Sequence, residues 1–281
     1  MSRAGGSSLR LTGKLATARG AMKLARALNL PFREQAYRAW YDGISELSEL
    51  LFGDFHCMNY GYAPAVEEAG PERFQLGLYD FLATLAPLRD ERVLEVGSGR
   101  GGGAAHVLRA HGASEVSGID LSERAVEASR AHFNDAGLRF LSGNAEALPF
   151  EAASFDVVLN VESSHCYPDV GAFLEEARRV LVNDGVLLLA DFRRSEEAAN
   201  VEARIASSRF KVEQQMDITR NVLAALEADD ARKRELIDTS SAVPNLMRGS
   251  IHHFAGCIGS PMYEDFQSGR RTYFAYVLRA K

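Results

Sequence analysis

The sequence predicts an α/β protein built around parallel strands, and three stretches of the chain support this prediction. Residues 93–96 form an apolar run that leads into alternating glycines and then into an alanine-rich helical start, the pattern of a strand, a tight turn and a helix. Residues 115–120 form a second short apolar run that ends in an acid, and helical features begin close after it. Residues 154–161 are apolar on both faces, as expected of a central parallel strand.

The composition indicates one soluble globular unit in a reducing compartment. The chain has 281 residues, of which 46% are apolar and 25% are charged, so it can bury a sizeable core. The formal net charge of −6 argues against a general affinity for nucleic acid, because a polyanion is bound by a basic surface. Three scattered cysteines, Cys57, Cys166 and Cys257, favour neither a metal site nor a disulfide and fit a cytoplasmic location.

Residues 1–30 differ in charge from the rest of the chain. They include six basic residues and no acidic one, and their apolar residues recur at roughly helical spacing. We expect a flexible or weakly docked basic extension. Two alternatives are an amphipathic helix that contacts a membrane surface or a second subunit, as in a homodimer, and an organellar transit peptide. No apolar stretch there is long enough for a signal peptide or a spanning helix.

Residues 31–87 have a helical pattern and are expected to form a cap segment before the sheet. Apolar and aromatic residues, among them Tyr37, Trp40, Tyr41 and Ile44, recur every three or four positions. An aromatic-rich stretch at residues 52–62 interrupts this pattern. It is either a loop that fills the core or a segment that closes over a ligand.

The glycine turn that follows the first predicted strand is expected to hold a nucleotide-like cofactor, because bare backbone amides can approach a ligand there. Its glycines also satisfy a dinucleotide fingerprint, with Asp120 about twenty residues downstream as the ribose-binding acid. Two features favour another nucleotide-like cofactor over a dinucleotide. Glu95 stands two residues before the first glycine, and the glycines are spaced as Gly97, Gly99 and Gly101. Here the stretch resembles motif I of the class I S-adenosylmethionine-dependent methyltransferases.

The resemblance extends over residues 51–281. Within the family, this part of the chain is similar to bacterial natural-product and lipid O-methyltransferases of the phthiotriolone and rebeccamycin-sugar types. It implies a Rossmann-like sheet of seven strands whose last strand is antiparallel. The cofactor-binding core would span residues 88–218 and a helical lid would span residues 219–269, before a final strand at residues 270–281. The cofactor implied is S-adenosyl-L-methionine.

The expected cofactor contacts come from five segments. An acid at the end of a strand, such as Asp120, can accept hydrogen bonds from both ribose hydroxyls. The resemblance places adenine at residues 144–146, where this chain has Asn144 instead of the usual Asp. It also implies that the Gly-Tyr pair ending at Tyr62 closes over the cofactor. The full set of predicted cofactor-binding residues is Glu95, Gly97, Ser98, Gly99, Gly101, Asp120, Leu121, Asn144, Ala145, Glu146, Asn160 and Tyr62.

His165 and Asp191 are the predicted catalytic residues. Each follows a predicted parallel strand, and ligands bind at the carboxyl ends of such strands. An imidazole is well suited to accept a proton near neutral pH, and a carboxylate can orient it or stabilise its charged form. The pair resembles the His and Asp of the rebeccamycin-type sugar O-methyltransferases. His252 and His253 are a rival choice of base.

The acceptor is expected to be hydrophobic, because the insertion at residues 219–269 is helical and rich in apolar and aromatic residues. In the family that this chain resembles, such an insertion covers the acceptor. The predicted substrate-binding residues are Tyr60, Glu162, Tyr167, His252, Phe254 and Tyr263.

These patterns predict methyl transfer to a hydroxyl of a polyketide, a lipid or another secondary metabolite, with His165 as general base and no metal. Carbon methylation of a prenyl or sterol-like acceptor remains an alternative, supported by Glu162 with Tyr60 and Tyr62. A cofactor-binding cyclase or scaffold is a second alternative. A NAD-dependent oxidoreductase is the third, and Glu95 argues against it.

Overall fold

The computed structural model describes residues 33–52, 55–64, 70–241, 243 and 245–281, together with residues 17, 20, 21 and 24. The expectations for residues 1–30, including contact with a membrane or a second subunit, therefore lie almost entirely outside the described residues. None of the helices in the described part of the chain is long and apolar enough to cross a membrane.

Seven strands form one mixed sheet in the order β3-β2-β1-β4-β5-β7-β6. The first five strands are parallel to one another, whereas β7 is antiparallel to its two neighbours, β5 and β6. The predicted seven-stranded sheet with an antiparallel last strand is thus confirmed. The strands are β1 (Arg92–Val96), β2 (Glu115–Asp120), β3 (Leu138–Ser142), β4 (Phe155–Val161), β5 (Leu181–Arg194), β6 (Phe210–Asp217) and β7 (Arg271–Ala280).

Nine helices are described around the sheet, and three of them lie between β6 and β7, where the sequence predicts a helical insertion. Their bounds are α1 (Arg33–Phe52), α2 (Arg73–Ala83), α3 (Gly102–His111), α4 (Glu123–His132), α5 (Val170–Val180), α6 (Ser195–Ser207), α7 (Thr219–Thr239), α8 (Asn245–Phe254) and α9 (Pro261–Gln267).

The central strands are apolar along their whole length because both faces of the sheet are covered. Successive residues of β1 show this: Val93 packs into one buried cluster together with α2 and α3, and Leu94 packs into a second cluster together with α5. Neighbouring side chains of a strand point to opposite faces, so a strand buried on both faces has no polar alternation.

The strand order reverses between β1 and β4, which pair with each other. Strands β2 and β3 lie on the β1 side of this pair, and β5, β7 and β6 lie on the β4 side. In a doubly wound sheet, a crevice forms outside the carboxyl ends of the strands at such a reversal. The glycine turn after β1 and the loop after β4 both border that crevice.

Candidate functional site

A cavity of about 650 Å³ lies at the carboxyl edge of the sheet. This volume is in the range of small-molecule sites. The glycine turn, the ends of β2 and β3, the loop after β4, the face of α1 and parts of the insertion all contribute to its wall. Most of the predicted site residues line it, namely Tyr60, Gly97, Ser98, Gly99, Asp120, Leu121, Asn144, Ala145, Glu146, Glu162, His165, Tyr167 and Phe254.

The glycine turn is tied to β2 through its backbone. The amides of Gly97 and Ser98 both donate to the carbonyl of Ile119, at 2.8 and 3.0 Å. The amide of Gly99 donates to Asp120 Oδ2 at 2.8 Å. The amides of these three residues are therefore satisfied within the protein, and the expectation of bare amides in the turn is corrected for them. What the glycines provide is space and a left-handed backbone.

Gly97 illustrates this need for space. Its φ is +79°, a conformation that residues with a side chain rarely adopt. A Cβ at this position would overlap the side chain of Ser163 and lie 3.2 Å from Tyr167 Oη. Glycine at this position therefore lets the turn pack directly against the loop after β4.

Asp120 presents a carboxylate to the cavity. One of its oxygens accepts from Gly99, and the other accepts from the amide of Ser122 at 2.9 Å. Burial raises the pKa of this carboxyl, although the two backbone hydrogen bonds oppose the shift. Each carboxylate oxygen has a second lone pair, so Asp120 can also accept hydrogen bonds from hydroxyls of a ligand.

Glu95 lies behind the cavity wall instead of in it. Its side chain is 1% exposed, and Tyr79 donates a hydrogen bond to its Oε1 at 2.6 Å. Burial raises the pKa of Glu95 to about 8, against the opposing effect of the Tyr79 bond. Glu95 therefore does not line the cavity but connects β1 to α2, and its contact with the cofactor stays a prediction.

Asn160 and Gly101 are two further predicted contacts that the structure places away from the cavity. Asn160 is wholly buried, and its Nδ2 lies within 2.9 Å of Val96 O, Ser163 Oγ and Tyr167 Oη. It fixes the loop after β4. A Cβ at Gly101 would lie 2.7 Å from the ring of Phe140, so this glycine permits close packing inside the core.

The loop after β4 brings His165 and Asp191 together. His165 lies in a single turn of 3-10 helix, and Asp191 lies in the adjacent parallel strand β5. His165 Nδ1 is 2.8 Å from Asp191 Oδ1, and the backbone amide of His165 donates to Asp191 Oδ2 at 2.8 Å. His165 lines the cavity, whereas Asp191 is 6% exposed and lies beneath it. The predicted pair is thus in contact, with only the imidazole at the cavity.

Asp191 is held by further buried groups. Ser164 Oγ donates to Oδ2 at 2.6 Å, and Arg193 Nη1 lies 3.0 Å from the same oxygen. Burial alone would raise the pKa of Asp191, but its attraction to His165 and Arg193 lowers it below the ordinary value. Asp191 is therefore a carboxylate at neutral pH.

Glu162 is a second acid in the cavity wall, and its environment is different. Its Oε1 accepts from the amide of Tyr60 at 2.7 Å and from Tyr273 Oη at 3.0 Å. Burial raises its pKa to about 8, so at neutral pH this carboxyl is mostly protonated. Its φ of +45° is unusual for a residue with a side chain, and it turns the backbone where the loop begins after β4.

Three predicted residues are used elsewhere in the fold. The ring of Tyr62 stacks on Phe81 at 4.4 Å, and Tyr263 is buried with its hydroxyl 2.7 Å from Glu227 Oε1. His252 Nε2 lies 3.1 Å from Asp238 Oδ1. None of the three lines the cavity. Tyr60 does. Residues two apart in an extended chain point to the same side, but the φ of +87° at Gly61 interrupts the extended chain, so only Tyr60 lines the cavity.

The face of α1 is the main part of the site that the sequence analysis missed. Tyr37, Trp40, Tyr41 and Ile44 all line the cavity. Their spacing of three and four residues predicts that they share one face of a helix, but it does not predict whether that face contacts the protein core or a ligand. Ion pairs and hydrogen bonds fasten α1 to the core; for example, Arg38 reaches Glu123 Oε1 at 3.2 Å and Ser142 Oγ at 3.1 Å.

A His–Asp cluster lies outside the cavity, between α2 and α3. The Nε2 atoms of His106 and His111 are 2.6 and 2.8 Å from the same oxygen of Asp80. Among the described residues this group could hold a metal ion, but hydrogen bonds alone explain these distances. The expected independence of the site from metal stays a prediction.

Comparisons with known proteins are consistent with this geometry. A family profile described as a methyltransferase domain matches residues 94–189. The chain is 32% identical over 263 residues to a phthiotriol/phenolphthiotriol dimycocerosates methyltransferase of Mycobacterium leprae, covering 90% of this chain and 95% of the relative. It is 31% identical over 261 residues to a fatty-acid O-methyltransferase of Mycolicibacterium smegmatis, covering 90% and 93%. A solved geranyl diphosphate C-methyltransferase from Streptomyces coelicolor shares the fold, with a TM-score of 0.64 at 19% identity over 90% of this chain and 98% of that one.

Proposed function

Because the chain belongs to the S-adenosylmethionine-dependent methyltransferases, we propose that it transfers the cofactor's methyl group to a hydroxyl of a hydrophobic small molecule. S-adenosylmethionine supplies the methyl group in an activated form, on a positively charged sulfur. The protein must then hold the acceptor in line with that methyl group and remove the proton of the hydroxyl.

The residues at the cavity fit this cofactor. Gly99 lines the cavity, and nothing lies within 4 Å of the place where its Cβ would stand, so a ligand can approach the backbone there. We propose that Asp120 accepts hydrogen bonds from the ribose hydroxyls and that Asn144 lies beside the adenine. Asn144 Oδ1 already accepts from the amide of Glu146 at 2.9 Å, which fixes the orientation of its side chain.

The contact between His165 and Asp191 is the observation that carries the proposal. With Nδ1 directed to Asp191, the second ring nitrogen, Nε2, is the one that can accept a proton from an acceptor in the cavity. Asp191 stabilises the imidazolium that forms, and Ser164 and Arg193 hold Asp191 in place. The relatives named above act on dimycocerosates and on fatty acids, which supports a lipid-like acceptor for this chain.

Carbon methylation is a second candidate, and Glu162 favours it. This buried acid lines the cavity beside the aromatic ring of Tyr60. The face of the Tyr60 ring can stabilise a carbocation formed on a prenyl-like acceptor, and the positive charge of that cation would favour ionisation of the Glu162 carboxyl. The position of the transferred methyl group distinguishes the two reactions.

The test is incubation with methyl-labelled S-adenosylmethionine and a pool of hydrophobic hydroxylated compounds, analysed by mass spectrometry. We expect the label on oxygen, and a loss of rate of roughly 100-fold or more in His165→Ala, the usual contribution of a general base. His252→Ala is the matched control, because this histidine is outside the cavity, and it should keep the wild-type rate. Label on carbon would contradict the proposal. So would an equal loss of rate in His165→Ala and His252→Ala while both variants still bind the cofactor.

A further inference from the structure

Arg271, the first residue of β7, is a cation in the cavity wall that the proposed chemistry does not use. It lines the cavity together with Phe192, Phe254 and Met262. Its side chain is only 12% exposed, and its guanidinium lies 5.1 Å from the centre of the Phe192 ring. Its Nε is buried and has no hydrogen-bond partner within the protein.

The charge of Arg271 is only partly balanced. Its Nη2 lies 3.5 Å from Asp265 Oδ2, a distance too long for a good hydrogen bond. Asp265 is also bound by the neighbouring Arg270, whose Nε is 2.9 Å from Oδ1. One carboxylate is thus shared by two guanidinium groups. Glu162 does not compensate for this at neutral pH, because burial raises its pKa to about 8. A buried cation of this kind is stabilised by an incoming anion.

Arg271 is separated from His165 by the ring of Phe192. In the register of β5 and β7, Asp191 pairs with Phe274 and Arg194 pairs with Arg271. This offset of three residues corresponds to about 10 Å along a strand. The Phe192 ring lies between His165 and Arg271, since its centre is 4.3 Å from the centre of the His165 ring and 5.1 Å from Arg271 Cζ.

We propose that Arg271 binds a carboxylate of the acceptor, so that the substrate is a hydroxy acid with its hydroxyl at His165 and its carboxylate at Arg271. This inference rests on the proposed hydroxyl methylation and adds the charge of the acceptor to it. An apolar spacer would lie on Phe192. A single carboxylate is favoured over a phosphate dianion because one partly compensated guanidinium, in a cavity wall that also contains Phe254 and Met262, can balance one negative charge but not two.

The first measurement is equilibrium binding to protein loaded with S-adenosylhomocysteine, which requires no turnover. The probes are para-coumarate and omega-hydroxydecanoate, the methyl ester of each, and the phosphate monoester of decanol. We expect each acid to bind at least tenfold more tightly than its ester. In Arg271→Gln the affinity for the acids should fall roughly 10- to 100-fold, the effect of losing a charged hydrogen bond, with a much smaller fall for the esters.

Arg270→Gln is the matched control, because Arg270 contacts the same Asp265 but does not line the cavity. It should keep the preference for acids, and Arg271→Lys should restore part of it. Thermal melting and binding of S-adenosylhomocysteine verify that each variant is folded. Equal binding of acid and ester, a preference for the phosphate monoester, or the same loss in both glutamine variants would overturn the inference.

The same compounds then serve as acceptors with labelled S-adenosylmethionine. Transfer to the hydroxyl of an acid, with a raised KM and a smaller change of kcat in Arg271→Gln, is the expected result. Label on the carboxylate would overturn the inference. If no compound is methylated but Arg271-dependent binding of the acids persists, the hydroxyl methylation fails while the carboxylate site stands.

Discussion

His165 has neighbours that set its protonation state. Burial alone would lower the pKa of its imidazole, but interactions with Cys166 and with the carboxylate of Asp191 raise this pKa well above the ordinary value of 6.5. Only the neutral imidazole can accept a proton. His165 is therefore a stronger base than a free imidazole, and its neutral, active form becomes more populated as the pH rises.

The pH dependence of the reaction follows from this shift. On hydroxyl acceptors kcat/KM should increase as the pH rises above neutral, because the fraction of neutral His165 increases. In Asp191→Asn the charge that raises the pKa is lost, so the rising limb should move to lower pH and reach a lower plateau. Rates measured across a pH series for both proteins check this. A flat profile, or a limb that Asp191→Asn does not move, would exclude His165 as the base.

Glu95 is a residue whose raised pKa concerns stability. In the folded state the pKa of Glu95 is about 8, whereas the ordinary pKa of a glutamate carboxyl is 4.5. The folded state thus binds more protons than the unfolded chain between these values. The contribution of Glu95 to the free energy of unfolding is therefore fully present at pH values below about 4.5, and it is lost as the pH rises toward 8.

Glu95→Gln should remove this decline. A Gln still accepts the hydrogen bond from Tyr79 and never ionises, so the free energy of unfolding should fall less steeply with pH. One group contributes a slope of at most about 1.4 kcal/mol per pH unit. Urea unfolding at pH values from about 4.5 to 8 measures it, and the two proteins should be similar at the lowest pH. A variant that is less stable than wild type at the highest pH would refute this account of Glu95.

At the scale of elements, the turn between β1 and α3 is the part of the structure in which backbone conformation matters most. Gly97→Ala should weaken cofactor binding at least tenfold, because its Cβ would displace Ser163 and the loop after β4. Gly269→Ala is the control: its φ is also positive, at +72°, but nothing lies within 4 Å of an added Cβ. It should cost about 1 kcal/mol of stability and leave binding unchanged. Titration calorimetry compares the two, and equal affinities would show that space at Gly97 is unimportant.

At the scale of the whole molecule, distant parts of the chain share one ligand site. The ends of β1, β2 and β3, the helix α1 and the insertion all border the cavity. A ligand there binds the folded state and not the unfolded chain, so it must stabilise the entire fold.

S-adenosylmethionine at about 100 times its dissociation constant should therefore add about 2.7 kcal/mol to the free energy of unfolding. For a chain of this size, that corresponds to a rise in Tm of roughly 5–10 °C. Thermal melting with and without cofactor measures it. Asp120→Ala, which removes the carboxylate from the cavity, should reduce the shift at the same concentration. An unchanged Tm for the wild type would contradict cofactor binding at this cavity.

The sequence alone determined the local features of this protein. The strand, turn and helix at residues 93–111, the acids at strand ends, and the pair His165 and Asp191 were all predictable. Each depends on a short-range pattern: apolar runs give strands, glycines permit left-handed turns, and parallel strands place their carboxyl ends at one edge. Long-range contact was needed only to bring these ends together.

Tertiary structure decided which side chains face the cavity. Glu95 and Asn160 lie within or at the end of strands buried on both faces, so only packing shows that they serve the core. The turn at Gly61 directs Tyr60 and not Tyr62 to the site. The aromatic face of α1 and the cation Arg271 reach the cavity from distant parts of the chain. Side-chain direction and long-range proximity depend on the folded backbone, and periodicity in the sequence does not encode what a face is packed against.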